Sequence, residues 1–215
     1  AIAGGVRAQR LHDDVGYLRY ATCMSEVTAD NIRGAMEHIK QQGDKGEVKG
    51  LIIDVRDNGG GALEFAIGFA TYFFPEKKVV SYIQYKEGPG HSDFSKLYPQ
   101  YVKPDGEAVF SGKIVVLTNC MVFSAANDFV ATMKCLPNVT LIGNTTGGGG
   151  GAPFSGELYN GWRVRISRNP LFDANKQHIE FGIEPDIRVD MDKDDEYEGV
   201  DSIIEYAISY LNGSE

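Results

Sequence analysis

Three short runs, GLIIDVR (50–56), KIVVLTN (113–119) and VTLIG (139–143), are apolar at nearly every position. A strand with one wet face alternates apolar and polar. A strand without alternation is covered on both faces, as in a parallel sheet flanked by helices. After the first two runs the period changes. ALEFAIGFATYFF (62–74) spaces Phe65, Phe69 and Phe73 for one helical face, with Pro75 as its end. SAANDFVATMKCL (124–136) does the same with Ala126, Phe129, Val130 and Met133. Upstream, VGYLRYAT (15–22) has strand character. It precedes ADNIRGAMEHIKQQG (29–43), where Ile32, Met36 and Ile39 share a face and Gly43 marks a stop. A strand–turn–helix unit therefore recurs, which predicts an α/β domain with a mostly parallel sheet.

Other segments are less constrained. KVVSYIQY (78–85) reads as a further strand. The polar, proline-bearing stretch 86–112 is long for a structureless connection and reads as a functional or mobile loop. GVDSIIEYAISYL (199–211) reads as a closing helix capped by Asp201.

Charge and composition remove several classes. The net charge of -9 argues against a nucleic-acid partner, which would face a basic surface. No apolar run reaches the eighteen or so residues of a membrane helix. The acidic run DMDKDDEYE (190–198) reads as a solvated loop, and its spacing does not fit a calcium loop. Cys23, Cys120 and Cys135 form no C-x-x-C pair and read as free thiols, so no metal and no cofactor is expected. The glycines at 147–151 are followed by Ala152 and Pro153 rather than Lys-Ser or Lys-Thr, which excludes a phosphate-binding P-loop. The chain opens without methionine and reads as a segment of a longer protein, one catalytic core over 1–215.

NCMVFSAAND (119–128) places Ser124 where a buried strand gives way to a helix. Helix starts present free N–H groups and favour negative charge, which suits a nucleophile and its oxyanion. The bland alternative is that Ser124 is only an N-cap. RDNGGG (56–61) tilts the balance. Consecutive glycines at the C-terminal end of a buried strand let backbone approach a ligand, and ligands bind at those strand ends in open α/β sheets.

GLIIDVRDNGGGAL, KIVVLTNCMVFSAAND, VTLIGNTTGGGGG and IEFGIEPDI occur in that order. Together they resemble the catalytic domain of the carboxyl-terminal processing and tricorn-type serine peptidases, from about Val15 to about Val189. The resemblance implies a Clp-protease/crotonase-like α/β fold of repeated β-β-α units, with a mostly parallel sheet flanked by helices. It implies Ser124 as nucleophile of a serine-type endopeptidase. The oxyanion hole would use the Ala125 backbone N–H and that of Gly60 or Gly61, and a side chain on Gly61 would crowd the oxyanion. The substrate would be a peptide or protein, the location extracytoplasmic, and a homo-oligomer possible.

Two departures follow from the same resemblance. The processing branch carries a lysine base where this sequence has Gly149, so a Ser–Lys dyad is excluded. The tricorn-type branch uses a histidine oriented with a glutamate, for which Glu180 is the better match and Glu184 the second. That histidine belongs to sequence upstream of this chain. Of the four histidines present, His38 reads as solvated, and His178, His91 and His12 are weak substitutes. The isolated chain is therefore expected to turn over slowly. The alternatives are a peptide- or glycan-binding module that has lost its base, or a crotonase-like acyl-CoA enzyme, against which the acidic balance argues.

Overall fold

The computed structural model describes residues 2–3, 5–11, 14–42, 47–104 and 106–213. The first sheet comprises β1 (Ile2–Ala3), β2 (Val6–Arg10), β3 (Val15–Tyr20), β4 (Gly50–Asp54), β7 (Lys113–Thr118), β8 (Val139–Gly143) and β11 (Ile187–Arg188), in the order β1-β2-β3-β4-β7-β8-β11. From β3 to β11 every pairing is parallel, with registers such as Leu51↔Ile114 and Ile114↔Val139; β1 and β2 add an antiparallel edge.

The unbroken apolar runs are explained by cover on both faces. Leu51, Ile53, Ile114, Val116 and Leu141 face one core. That core also takes Ile32, Met36 and Ile39 from α1 (Ala29–Gln41), Phe69 from α2 (Leu63–Thr71) and Phe129 and Met133 from α3 (Ala125–Met133). Ile52, Val115, Leu117 and Ile142 face the other core, closed by Ile203, Ala207 and Ile208 of α5 (Ser202–Asn212). Each fully buried Ile, Leu or Phe contributes about 1.5–3 kcal/mol before chain entropy is counted.

Capping fixes the helix starts. Thr28 and Asn31 form a capping box on α1, and the Asp201 carboxylate accepts the Ile204 N–H. Asp201 also receives two bonds from Arg56, at 3.1 and 2.7 Å, while Arg56 holds the buried Asp54. Arg19 and the Tyr17 hydroxyl complete this cluster at 2.7 and 2.8 Å from Asp54. Burial alone would raise the Asp54 pKa. The Arg56 bonds and the charges of Arg56 and Arg19 outweigh it and hold the carboxyl below its usual range.

Three parts of the sequence behave otherwise than expected. The stretch 86–112 contains β6 (Tyr98–Val102), paired with β5 (Lys78–Ile83). A long hairpin, β9 (Gly151–Glu157) and β10 (Arg163–Asp173), joins them in a four-stranded antiparallel sheet of order β6-β5-β10-β9. These strands have little buried surface, so they lack the apolar signature that betrays a core strand. The acidic run holds a short exposed helix, α4 (Lys193–Glu198), because Asp192 caps it through the Asp194 and Asp195 N–H groups. The stop assigned to Gly43 lies outside the described residues. No helix among those described is long and apolar enough to cross a membrane.

Candidate active site

Three turns at the C-terminal ends of β4, β7 and β8 meet around Ser124. The turns after β4 and β7 are clamped by side chains: Asn119 accepts the Asp57 N–H at 3.0 Å and donates to the Asp57 carboxylate at 2.8 Å. Phe123 N–H donates to the Asn58 carbonyl, and Ser124 N–H to the Gly148 carbonyl of the turn after β8, at 3.0 and 2.8 Å. The serine is thus fixed by backbone on both sides.

Ser124 occupies the cap position of α3, and its carbonyl accepts the Asn127 and Asp128 N–H groups. Its hydroxyl makes no capping bond. Its φ of 56° and ψ of -129° are rare for a residue with a side chain, costing on the order of 1–3 kcal/mol. A capping serine would sit in extended backbone and bond the helix start. The strained geometry instead turns the side chain toward a cleft of about 770 Å³, lined by the glycine turn, Met24, Phe65, Phe123, Pro153, Arg165 and Glu180. Phe65, assigned from its spacing to the core face of α2, faces this cleft, while Phe69 and Phe73 are buried.

The glycine turn presses on the serine. An added Cβ on Gly60 would lie 2.6 Å from the Phe123 carbonyl oxygen and 2.9 Å from both Ala125 N and Ser124 Cβ. The Gly60 N–H donates to Asn58 Oδ1 at 2.9 Å, and Asn58 Nδ2 donates to the Tyr20 carbonyl. Among the described residues, no acceptor meets the N–H of Gly61 or of Ala125. A side chain on Gly61 would strike the Cys23 carbonyl at 2.4 Å rather than crowd the cleft, contrary to the sequence expectation.

The chain matches the profile of peptidase family S41 over residues 14–189. It belongs to peptidase family S41. It is 30% identical over 171 residues to the carboxy-terminal processing protease CtpA of Bacillus subtilis, covering 79% of this chain and 34% of that protein. A solved structure of a proposed peptidase from Parabacteroides merdae shares 46% identity at a TM-score of 0.92, covering 98% of this chain and 65% of that one. The tricorn protease structure is similar in fold, at 23% identity and a TM-score of 0.57, covering 92% of this chain and 17% of that one. The chain thus spans about a third of the length of the CtpA it matches.

Within this S41 domain the two candidate glutamates separate. Glu180 lines the cleft with Ser124, and its carbonyl accepts the Gly149 N–H at 2.8 Å. Glu184 lies outside that lining; its carboxylate accepts the Thr145 hydroxyl at 2.8 Å. The segment bearing Glu180 is tied to α3 by a buried network. Asn127 donates to the Ile179 carbonyl, and its Oδ1 accepts the Thr146 hydroxyl, which in turn accepts the Ile183 N–H.

Asp128 lies near the serine but outside the lining of the cleft. It lies one helical turn from Ser124, where burial and then the charge of Glu180 push its carboxyl up to about 7. A carboxylate at i+4 from a serine carries no spacing signal that separates it from an ordinary first-turn acid.

No lysine or histidine is among the described residues lining the cleft. A side chain at Gly149, where φ is +75°, would meet the Phe123 ring at 2.3 Å. His178 packs between the rings of Phe172 and Phe181. His91 lines a different groove, and His38 lies on α1. His12 lies outside the described residues.

Proposed function

We propose that this domain is the catalytic core of a serine-type endopeptidase, with Ser124 as nucleophile. The observation that carries the reading is the strained, uncapped Ser124 at a helix start, opening on a cleft beside two N–H groups that meet no acceptor among the described residues. Ser124 Oγ attacks the peptide carbonyl carbon, and the carbonyl oxygen takes the negative charge. Ala125 N–H and Gly61 N–H are the donors that receive it. Gly60 is the spacer whose missing side chain lets them converge, since its own N–H serves Asn58. Collapse of the intermediate expels the amine and leaves an acyl-serine, which water then hydrolyses.

A serine hydroxyl is a weak nucleophile until a base takes its proton. We assign that base to a histidine of the longer protein, outside this chain, with Glu180 as the carboxylate that orients it. Peptides or proteins are the substrates, in an extracytoplasmic compartment, and no cofactor takes part. The test is hydrolysis of peptides by the full-length protein and its Ser124→Ala form, alongside labelling by a serine-reactive phosphonate. Loss of both in the variant is expected. Labelling that persists in Ser124→Ala would overturn the assignment. Binding of peptides with no labelling of the unaltered protein would favour the binding-module reading, which the absence of a base in the described cleft keeps in view.

A further inference from the structure

A second groove, about 790 Å³, lies beside the Ser124 cleft and shares Ser167 with it. Along the β9–β10 hairpin, Pro153 and Arg165 line the Ser124 cleft, whereas Phe154, Ile166 and Arg168 line the second groove. Ser167, just before a register shift in the hairpin, lines both. The opposite wall comes from the β5–β6 connection: Lys86, Pro89, His91 and Phe94.

Its chemistry is unlike the rest of the surface. The chain as a whole carries -9, yet segments 78–103 and 151–178, which build the second sheet, hold eight Lys and Arg against four Asp and Glu. The cations of the groove rest on aromatic rings. Lys86 Nζ lies 4.5 Å from the Phe94 ring centre, and the Arg168 guanidinium 5.7 Å from that of Phe154. Lys86 also donates to the carbonyls of Gly90 and His91. Among the described residues, neither Lys86 nor Arg168 pairs with a carboxylate. By contrast Arg10, Arg19, Arg56, Lys134 and Arg188 all do. The nearby Asp93 carboxylate accepts the Gly90 N–H at 2.6 Å instead. A guanidinium resting on a ring keeps its edge N–H donors available for a carboxylate, and the ring beneath limits the entropy lost on binding. Exposed Phe154 and Ile166 supply an apolar surface next to those donors.

We propose that this groove is a second binding site for a peptide carboxylate flanked by an apolar or aromatic side chain, held by Arg168 and Lys86 and packed on Phe154, Phe94 and Ile166. It rests on the peptidase reading only in that the peptide would be part of a substrate. Occupancy would hold a protein substrate beside the cleft without touching the scissile bond. The carboxylate comes either from a chain terminus or from an Asp or Glu side chain.

The test separates binding from turnover. Full-length protein carrying Ser124→Ala is titrated with fluorescent peptides ending in an aromatic residue, read by anisotropy. One peptide has a free C-terminus, one is amidated, and one is amidated with an internal Glu beside the aromatic. Combined Arg168→Gln and Lys86→Gln should weaken the carboxylate peptides roughly tenfold or more, since bonds to charged groups are the strong ones. The amidated neutral peptide should bind weakly and change little. Preference for the free terminus or for internal Glu identifies the source. Lys40→Gln, a charge change on exposed α1, is the control, and melting curves confirm folding. Equal binding of all three peptides, or an equal loss from Lys40→Gln, would overturn the proposal. If the carboxylate peptides bind as proposed while Ser124 proves unreactive in the unaltered protein, the site stands and the peptidase reading falls.

Discussion

Gly60→Ala is the sharpest test of how the turn after β4 serves Ser124. The new methyl group would start 2.6 Å from the Phe123 carbonyl oxygen and 2.9 Å from Ala125 N and Ser124 Cβ, where ordinary contact begins at 3.4 Å. In a close-packed interior the backbone of 123–125 must therefore recede by roughly 0.5–0.8 Å. Two costs add in the folded state. A side chain at φ +94° costs about 1–2 kcal/mol and the overlap about 1–3, so the domain should lose about 2–5 kcal/mol. Total stability is typically about 5–15 kcal/mol, so the variant should still fold at low temperature. In the proposed oxyanion hole the recession moves the Ala125 N–H away from that of Gly61, and losing one such donor costs about 10²–10³ in kcat. Urea titration measures the first effect, and phosphonate labelling with peptide hydrolysis by the full-length protein measures the second. Gly59→Ala is the companion variant, because a methyl there meets nothing within 4 Å. It should cost little in the urea titration, which isolates the steric cost at Gly60. A folded Gly60→Ala protein with unchanged kcat would refute the claim that these donors converge through Gly60.

Asp128→Asn should be stabilising at pH 8 by up to about 4 kcal/mol and neutral at pH 4. The sign follows from burial and Glu180, which raise the folded pKa of Asp128 to about 7, so wild-type stability falls as pH rises from about 4 toward 7; thermal melts at the two pH values check it. Arg56→Met should cost up to about 3–5 kcal/mol by taking the bidentate partner from buried Asp54 and leaving it Arg19 and Tyr17, seen as a lower urea midpoint at pH 7. Because the folded Asp54 pKa is depressed, that loss should shrink as pH falls below about 4. Gly34→Ala on α1 meets nothing within 4 Å and should raise stability by about 0.5–1 kcal/mol, measured the same way. The 215-residue chain alone should label and hydrolyse about 10²–10⁴-fold more slowly than the full-length protein, the range a positioned base supplies. Equal rates would place the base inside this chain.

The parallel sheet was legible because burial on both faces leaves an unmistakable composition. Leu51 to Ile53 and Ile114 to Leu117 have no exposed side to encode, so every position is apolar. Of the antiparallel sheet, β5 was legible in KVVSYIQY, whereas β6, β9 and β10 were not, for the opposite reason. Those strands expose residues on both faces, and Pro99, Gly151 and Gly156 argue locally against strand. The position of Ser124 was readable from the strand-to-helix junction. Its conformation was not, because φ of 56° at a serine contradicts local preference and is imposed by the contacts of Phe123 with Asn58 and of Ser124 with Gly148. Gly60 and Gly61 read as equivalent in sequence. The Asn58 side chain, which takes one N–H and leaves the other, distinguishes them, as does packing: Gly60 abuts Ser124 and Gly61 abuts the Cys23 carbonyl.

Those features share a physical cause. A backbone strained at Ser124 persists only if its neighbours over-determine it. Here the Phe123 and Ser124 N–H groups are tied to two different turns, and a third tie runs from Asn127 through Thr146 to the segment of Glu180. Relaxing Ser124 toward an ordinary cap would break the Gly148 bond and open the contact with Gly60. The first change leaves a backbone N–H and a carbonyl unpaired, at a cost comparable to the strain it relieves, and the second gives up close packing. The strain is therefore held locally, by turns whose sequences carry glycine and asparagine rather than by the apolar core beneath. Thr146→Val isolates this idea. It removes one buried hydroxyl with little change of volume, so the core is untouched while Asn127 Oδ1 and the Ile183 N–H lose their partner. Stability should fall by about 1–3 kcal/mol. Turnover by the full-length protein should fall as well, because the segment carrying Glu180 is no longer tied to the serine helix. A loss of stability with kcat intact would mean that the core alone positions the site.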